Sequence, residues 1–260
     1  MRVIFVFLLG ILVFLSPAKA SECLALAQGL GSVQQASIGV ANLVEGETSV
    51  TFVGHSTFRI ETAQGIVAAT DYNGNAGGAT PDVVTMNRAH STHYTNTPDP
   101  AIKHVLRGWG EDGTAAKHDV QVGDLRIRNV TTDIRFGASN RVTDGNSIFI
   151  FESGGLCIGH LGHLHHELTP GHMGWIGRLD VVMVPVDGRM TMPHQNMMGV
   201  LKEIKAAVII PMHIFGPDTL AAFLAEARKS FKVTYLESRS LTLSQKSLPT
   251  EATVMVMPGY

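Results

Sequence analysis

Histidines stand at four places along the chain where an apolar run ends. His55 follows the first run, His90 and His93 follow another, a group lies at 160–166, and His213 follows a fourth run. Imidazole is the commonest metal ligand in proteins and titrates near neutral pH. Loops at one edge of a sheet are where binding sites usually form. The pattern therefore predicts a metal site built from strand ends.

Two further side chains suggest chemistry beside this site. His163 is interpreted as a general base, as a group that orients a metal ligand, or as part of a polar turn. Arg88 is interpreted either as a bidentate partner of an anionic substrate group or as the ion-pair partner of Asp71 or Asp133. His55 is expected to orient a neighbour rather than to bind metal.

The elements that must position these residues change along the chain. Short alternating strands dominate the first half, beginning with residues 49–53 and 57–62. Buried strands at 179–186 and 207–211 then alternate with helices that begin near Pro170, at 193–205 and at 217–229. Strands followed by strand–helix alternation indicate an α/β fold of mixed sheets covered by helices.

Composition and charge narrow the class of protein. The 260 residues are 45% hydrophobic and 16% charged, which is globular. Residues 1–20 predict a secretory signal peptide, with Arg2 at its positive end, an apolar run, and an A-x-A pattern that ends at Ala20. The apolar run has about thirteen residues, whereas a helix needs about 20 to span a bilayer, so a membrane anchor is disfavoured. We expect a leader segment at 21–46, one domain at 47–260, and a periplasmic or secreted protein.

Cleavage would leave 18 basic and 22 acidic side chains, a formal charge of −4. This balance disfavours nucleic acid as a partner. We also expect no membrane association after cleavage, and a small-molecule substrate. Export would permit a disulfide between Cys23 and Cys157, but two cysteines do not specify one, and Cys157 is interpreted as a buried small hydrophobe.

From Val50 to about Phe231 the sequence resembles the metallo-β-lactamase superfamily, in its branch of L-ascorbate-6-phosphate lactonase-like hydrolases. The matching motifs are VGHSTFRIE at 53–61, the His90/His93 turn, GNSI at 145–148, GHLGH at 159–163, VPVDG at 184–188 and IPMH at 210–213. The resemblance implies a four-layer αββα sandwich with a metal site at one edge of its sheets.

The metal motif departs from the family pattern. The four ligand positions of the family's H-x-H-x-D-H motif read Arg88, His90, Thr92 and His93. In addition, His160 replaces the family's bridging aspartate, and Asp133 is a substitute for an intermediate histidine. Two divalent cations normally need carboxylates to offset their repulsion. We therefore expect one metal, and its ligands would be His90, His93, His160 and His213, with Asp133 a weaker fifth.

Zinc is the expected metal because of the resemblance, with iron or copper as alternatives. The first hypothesis is a metal-dependent hydrolase that acts outside the cytoplasm on a lactone, phosphoester or amide. The alternative is a metal- or ligand-binding protein that has lost catalysis, as the missing aspartates suggest. A third hypothesis is an oxygen or redox function on an all-histidine iron or copper site.

Overall fold

The computed structural model describes residues 21–24, 43–136 and 140–260. Within these ranges the chain forms fourteen strands, three α-helices and a 3-10 turn at Glu111–Gly113. The strands are β1 (Thr48–Gly54), β2 (Thr57–Thr62), β3 (Val67–Ala69), β4 (Val83–Met86), β5 (His104–Arg107), β6 (Asp119–Val122), β7 (Leu125–Phe136), β8 (Asn140–Ser153), β9 (Leu156–His160), β10 (Val181–Pro185), β11 (Val208–Met212), β12 (Lys232–Tyr235), β13 (Ser240–Leu243) and β14 (Thr253–Val256). The helices are α1 (Pro170–Ile176), α2 (His194–Ile204) and α3 (Pro217–Ala227). The predicted signal peptide at 1–20, and residues 25–42 of the predicted leader, lie outside the described residues.

The strands form two mixed sheets. The first has the order β13-β1-β2-β3-β4-β5 and the second the order β12-β14-β11-β10-β9-β8-β7-β6. In the second sheet, β9, β10, β11, β14 and β12 run parallel, so their carboxyl ends meet at one edge. In the first sheet, β3, β4 and β5 are parallel as well.

The two sheets pack face to face around an apolar core. Phe52 and Phe58 of the first sheet belong to the same cluster as Phe149, Phe151 and Met183 of the second. Alternate residues of the second sheet point the other way and pack against the three helices. The expected two-sheet α/β sandwich is confirmed, although in the described residues the outer face of the first sheet is covered by loop residues such as Tyr94 and Trp109.

Local sequence explains where the helices begin. The side chain of Thr169 accepts a hydrogen bond from the backbone N–H of His172, and Pro170 occupies the first turn, so α1 begins as predicted. The amphipathic segments at 193–205 and 217–229 form α2 and α3, which bury their apolar faces on the second sheet. None of the helices in the described ranges has the length and apolarity needed to cross a membrane.

A disulfide joins Cys23 to Cys157 in the middle of β9. The disulfide that the sequence permitted is therefore formed, and Cys157 is buried as expected, although it is bonded and not a free small hydrophobe. The carbonyl of Cys23 accepts a hydrogen bond of 2.8 Å from the backbone N–H of Arg178, and Ser21 donates one of 2.7 Å to Glu152. These contacts attach residues 21–24 to the helix-covered side of the second sheet.

Candidate metal centre

Four histidines converge at the carboxyl ends of β4 in the first sheet and of β9 and β11 in the second. His90 and His93 lie in the loop after β4, His163 follows β9, and His213 follows β11. One ring nitrogen from each of these side chains lies within 4.8 Å of all the others. This group is the four-histidine cluster, and its members come from loops that follow strands of both sheets.

The ring nitrogens of the cluster suit a metal. Nε2 of His93 and Nε2 of His213 are buried and have no hydrogen-bond partner among the residues that the structure describes. Nε2 of His90 lies 3.1 Å from Nε2 of His163. A buried nitrogen without a partner is costly, and a bound cation would satisfy the lone pairs.

Two aspartates contact the other ring nitrogens of the cluster. Asp71 lies 2.5 Å from Nδ1 of His93, and Asp187 lies 3.0 Å from Nδ1 of His213. A carboxylate that accepts from Nδ1 places the imidazole proton there and leaves Nε2 as a lone pair. Metal-binding histidines usually have this partner, so both contacts are what a metal site requires.

Both carboxylates are held in the ionised form. Burial raises the pKa of Asp71, but the neighbouring imidazoles of His93 and His160 and a 2.9 Å hydrogen bond from Asn87 outweigh it, so the pKa lies well below its usual range. Burial likewise raises the pKa of Asp187, and hydrogen bonds from His213, Thr191 and nearby backbone N–H groups more than compensate. Asp187 therefore both closes its turn, by accepting from the N–H groups of Arg189, Met190 and Thr191, and contacts the cluster.

His90 and His163 of the cluster, and the adjacent His55, are held in the neutral form. Burial, followed by the neighbouring rings of His93 and His213, lowers the pKa of His90 to about 4. The same two causes lower the pKa of His163 far below its usual range. Burial and the ring of His213 lower the pKa of His55 to about 3. Uncharged imidazoles close together avoid mutual repulsion and keep their lone pairs available.

Backbone conformation contributes to the convergence. His55 and His213 both have positive φ, 53° and 59°, and the N–H of His213 donates to the carbonyl of His55 over 2.8 Å. Their rings lie 4.2 Å apart. His55 Nε2 is buried without a partner, but His55 lies outside the four-histidine cluster. His55 therefore packs beside a cluster ring, and its expected role of orienting a neighbour stays a prediction.

His160 does not join the cluster, contrary to prediction. It is the last residue of β9 and fully buried. Its Nε2 bonds the carbonyl of Ser56 over 2.8 Å, and its Nδ1 accepts from the N–H of Gly162 over 3.1 Å. Both ring nitrogens are therefore used within the protein. The place in the cluster that was expected for His160 is taken by His163, three residues further along.

The other two predicted site residues lie outside the cluster. Asp133 accepts from the guanidinium of Arg141 and from the N–H of Asp144, so its carboxylate is already paired. The Arg88 side chain is exposed, and its proposed ion pairs with Asp71 or Asp133 are not formed. Asp133 is therefore not a ligand in this structure, and the cation at position 88 is exposed to solvent.

His165 is a site residue that the sequence reasoning did not single out. Its Nε2 lies 2.5 Å from Nδ1 of His163, and its Nδ1 accepts from the backbone N–H of Arg135 over 3.0 Å. The next residue, His166, accepts in the same way from the N–H of Asp133. The available signal was the H-x-H-H spacing at 163–166.

A cleft of about 410 Å³ opens beside the cluster. Its described lining combines His90, His163 and His165 with Ile134, Met190 and others, and it includes the exposed guanidinium groups of Arg135 and Arg189. Arg135 also donates to the carbonyl of Thr191 over 2.8 Å, which fixes its side chain at the cleft wall. The described lining therefore carries positive charge beside the cluster.

Known proteins share both the sequence pattern and the fold. A UPF0173 metal-dependent hydrolase from Methanosphaerula palustris is 25% identical over 179 residues, which cover 63% of this chain and 82% of the relative. A candidate Zn-dependent hydrolase of the metallo-β-lactamase superfamily from Thermotoga maritima has a TM-score of 0.58 and 28% identity, and the match covers 81% of this chain and 98% of that one. At 11% identity, isothiocyanate hydrolase from Delia radicum gut bacteria shares the fold, with a TM-score of 0.52 over 75% of this chain and 99% of that chain.

The family model described as beta-lactamase superfamily domain matches residues 49–213. This range runs from β1 to the last histidine of the cluster, so it contains all four strand ends that the sequence analysis selected. The chain belongs to the β-lactamase superfamily and has the metallo-β-lactamase fold.

Proposed function

We propose that this protein is a hydrolase that uses one zinc ion, acts outside the cytoplasm, and cleaves a small anionic substrate. His90, His93 and His213 would hold the zinc. Catalytic zinc sites commonly have three protein ligands and one position left open. The metal-dependent hydrolase from Methanosphaerula palustris supports the reaction class.

One observation carries the metal assignment. The buried Nε2 atoms of His93 and His213 have no partner, while Nδ1 of each ring contacts an ionised carboxylate. A histidine that only stabilises the fold would use both nitrogens, as His160 does. The two rings are therefore arranged for a ligand that accepts a lone pair.

Charge supports a single metal. Asp71 and Asp187 are the two ionised carboxylates that contact cluster imidazoles. One divalent cation would balance these two negative charges, whereas a second would leave a net charge of about +2 in a buried site, where charge is poorly solvated. The family's two-metal motif has also lost two of its four ligand positions, which read Arg88 and Thr92.

We propose zinc among several transition metals that this set of ligands could bind. Neutral imidazoles also suit iron, copper and nickel, so the donor set does not choose alone. The similarity to the candidate Zn-dependent hydrolase from Thermotoga maritima supports zinc. Iron or copper would become the better assignment if the purified protein were coloured or gave an electron paramagnetic resonance signal.

A divalent cation at the cluster would supply a Lewis acid that polarises a carbonyl or phosphoryl oxygen. The residues of the chain then have separate tasks. Asp71 and Asp187 orient the imidazoles of His93 and His213 and fix their tautomers through Nδ1. The cleft beside His90 and His163 would place the scissile bond next to the cluster.

The arginines of the cleft support an anionic substrate. Arg135 and Arg189 line the same cleft as His90, and their guanidinium groups could bind a carboxylate or phosphate on the substrate. Arg88, which the sequence suggested for this task, is exposed on the neighbouring loop. The same chemistry fits the L-ascorbate-6-phosphate lactonase-like branch that the motifs resemble, and we propose membership of that branch.

The disulfide supports export. Disulfides persist in oxidising compartments and are rare in the cytosol. The bond between Cys23 and Cys157 would form after transport, and cleavage after Ala20 would leave Cys23 as the third residue of the mature chain. We therefore propose a periplasmic or secreted enzyme.

The test uses residues 21–260, refolded with the disulfide formed and purified without a histidine tag. Metal content is measured by elemental analysis for the wild type, H93A, H213A and, as a matched control on a strand outside the cluster, H104Q. We expect about one zinc per chain in the wild type and in H104Q, and none in the two cluster variants. Two tightly bound equivalents in the wild type would contradict the single-metal proposal.

Turnover is then measured on matched esters, neutral 4-nitrophenyl acetate and anionic mono-4-nitrophenyl glutarate, and on bis(4-nitrophenyl) phosphate. R189Q should raise KM for the anionic ester about tenfold or more and leave the neutral ester unchanged, because a charged hydrogen bond is worth about 1.5–3 kcal/mol. R107Q, an exposed arginine at the end of β5, is the control. A zinc-loaded protein without turnover on any of the three would favour the metal- or ligand-binding alternative.

A further inference from the structure

His163 differs from the other three members of the four-histidine cluster in the atom that its Nδ1 contacts. The first three face oxygen atoms, those of Thr92 for His90, Asp71 for His93 and Asp187 for His213. For His163 the neighbour is instead a nitrogen, Nε2 of His165, at 2.5 Å. A hydrogen bond between two nitrogens needs one donor and one acceptor, so the proton position on one ring decides that on the other.

The backbone of β7 determines which ring nitrogens of His165 and His163 carry a proton. The N–H of Arg135 can only donate, and it donates to Nδ1 of His165 over 3.0 Å. That nitrogen must therefore be without a proton, and neutral His165 carries its proton on Nε2. His165 then donates to Nδ1 of His163, and neutral His163 must carry its own proton on Nε2. A second proton on either Nδ1 would meet another N–H group, so the cationic forms do not fit this arrangement.

The position of this donor follows from a β-bulge. The pairing of β7 with β8 shifts register between Thr132 and Ile134. The N–H of Asp133, which lies within the shift, bonds to His166, and the N–H of Arg135, just after it, bonds to His165. The bulge thus presents a backbone donor at a fixed place beside the cluster.

We infer that His163 is a catalytic hydrogen-bond donor and not a fourth metal ligand, and that His165 is the positioning residue that fixes its tautomer. The inference rests on the proposed function. A metal ligand must offer a lone pair, whereas Nε2 of His163 carries a proton that points to Nε2 of His90. With a substrate bound, this N–H would donate to the oxygen on which negative charge develops. No proton leaves His163 in this role, and the general-base role suggested by the sequence would need the opposite tautomer.

The first test separates a ligand from a donor by zinc affinity, measured by competition with a chelator. H93A should weaken zinc binding by more than about 100-fold, beyond the 10- to 100-fold cost of losing an indirect partner. H163A should keep one zinc per chain, with affinity changed by less than about tenfold, while kcat falls about 100- to 1,000-fold, as for loss of one oxyanion donor. H163Q, whose amide can donate, should recover part of kcat.

The second test changes His165 alone. In H165F, Nδ1 of His163 loses its donor, so the proton can move there and the freed Nε2 lone pair can bind metal. We expect zinc affinity to rise about tenfold or more through a fourth ligand, and kcat to fall. H166F, which removes the adjacent histidine with the same kind of backbone contact, controls for general weakening of this loop. Long-range ¹⁵N–¹H spectra of the metal-free protein should show His163 protonated at Nε2.

The outcomes distinguish the two proposals. Loss of zinc in H163A to the same extent as in H93A, or protonation of His163 at Nδ1 in the spectra, would overturn this inference and leave the zinc site intact. Zinc binding that is absent from the wild type, or unaffected by H93A, would overturn the proposed function itself. Weaker zinc binding in H165F than in H166F would assign His165 a merely structural role and refute the positioning argument.

Discussion

Removing the disulfide should cost this protein a large part of its stability. Cys23 and Cys157 are 134 residues apart, so the bond closes a loop that contains more than half of the chain. In the chain-entropy model, opening a loop of this length costs about 5 kcal/mol, and measured losses for native disulfides are about 2–5 kcal/mol. We expect C23A/C157A to lose about 4 kcal/mol, against a total stability of about 5–15 kcal/mol for a typical domain.

The neighbouring contacts are expected to weaken with the bond. Ser21 and the carbonyl of Cys23 each make a hydrogen bond to the domain, and Cys23 itself is buried in the helix-side core. Once the covalent bond is absent, these contacts alone must hold a short segment near a chain end, and such segments fray readily. The alanine variant should therefore lose the protection from proteolysis that residues 21–24 have in the wild type.

The assay is guanidinium unfolding of the metal-free wild type and of C23A/C157A, with and without a reducing agent for the wild type. Metal-free protein is needed because bound zinc would stabilise the folded state by itself. Zinc content is the control, since both sulfurs lie on the helix side of the second sheet and contact no cluster histidine. A difference below about 1 kcal/mol, with thiol counts that confirm the bond in the wild type, would refute the reasoning.

Four further results are expected. G162A should destabilise the protein by at least about 2 kcal/mol, because Gly162 has φ of 58° and a Cβ there would lie 2.4 Å from the amide oxygen of Asn146; guanidinium unfolding measures this. D187A should weaken zinc binding about 10- to 100-fold in chelator competition, since a cluster imidazole loses its carboxylate. The metal-free protein should lose stability as pH falls from about 6.5 towards 3, measured by unfolding at a series of pH values. The pKa of His90 is lowered to about 4 and that of His55 to about 3, so these side chains bind fewer protons in the folded state than in the unfolded state. A flat profile would contradict this. Zinc at about 1,000 times its dissociation constant should stabilise the fold by about 4 kcal/mol, seen as a higher midpoint.

Much of the fold could be predicted because its signals are local. Strand alternation, the Thr169–Pro170 helix start and the apolar spacing of 193–205 each depend on a few adjacent residues, and each is confirmed. The convergence of His90, His93 and His213 was predicted from the family resemblance, since β4 and β11 lie in different sheets and no strand pairing in the described residues links their ends.

The details of the site depend on contacts that no local pattern encodes. The exchange of His160 for His163 follows from the left-handed turn at Gly162 and from the carbonyl of Ser56, which lies 104 residues away from His160. The pairing of Asp133 with Arg141 depends on the register of β7 and β8. Tertiary contacts, rather than residue type, therefore decide which imidazoles keep a free nitrogen.

At the bulge in β7, the side chains that line the cleft and the backbone N–H that holds His165 can be changed independently. Ile134 and Arg135 form one wall of the cleft with their side chains, while the Arg135 backbone N–H holds His165 in place. Every amino acid except proline supplies that N–H. The side chains at 134 and 135 can therefore be exchanged to accept other substrates while the tautomer of His163 is preserved, and proline at 135 is the one replacement that would remove the donor together with the wall.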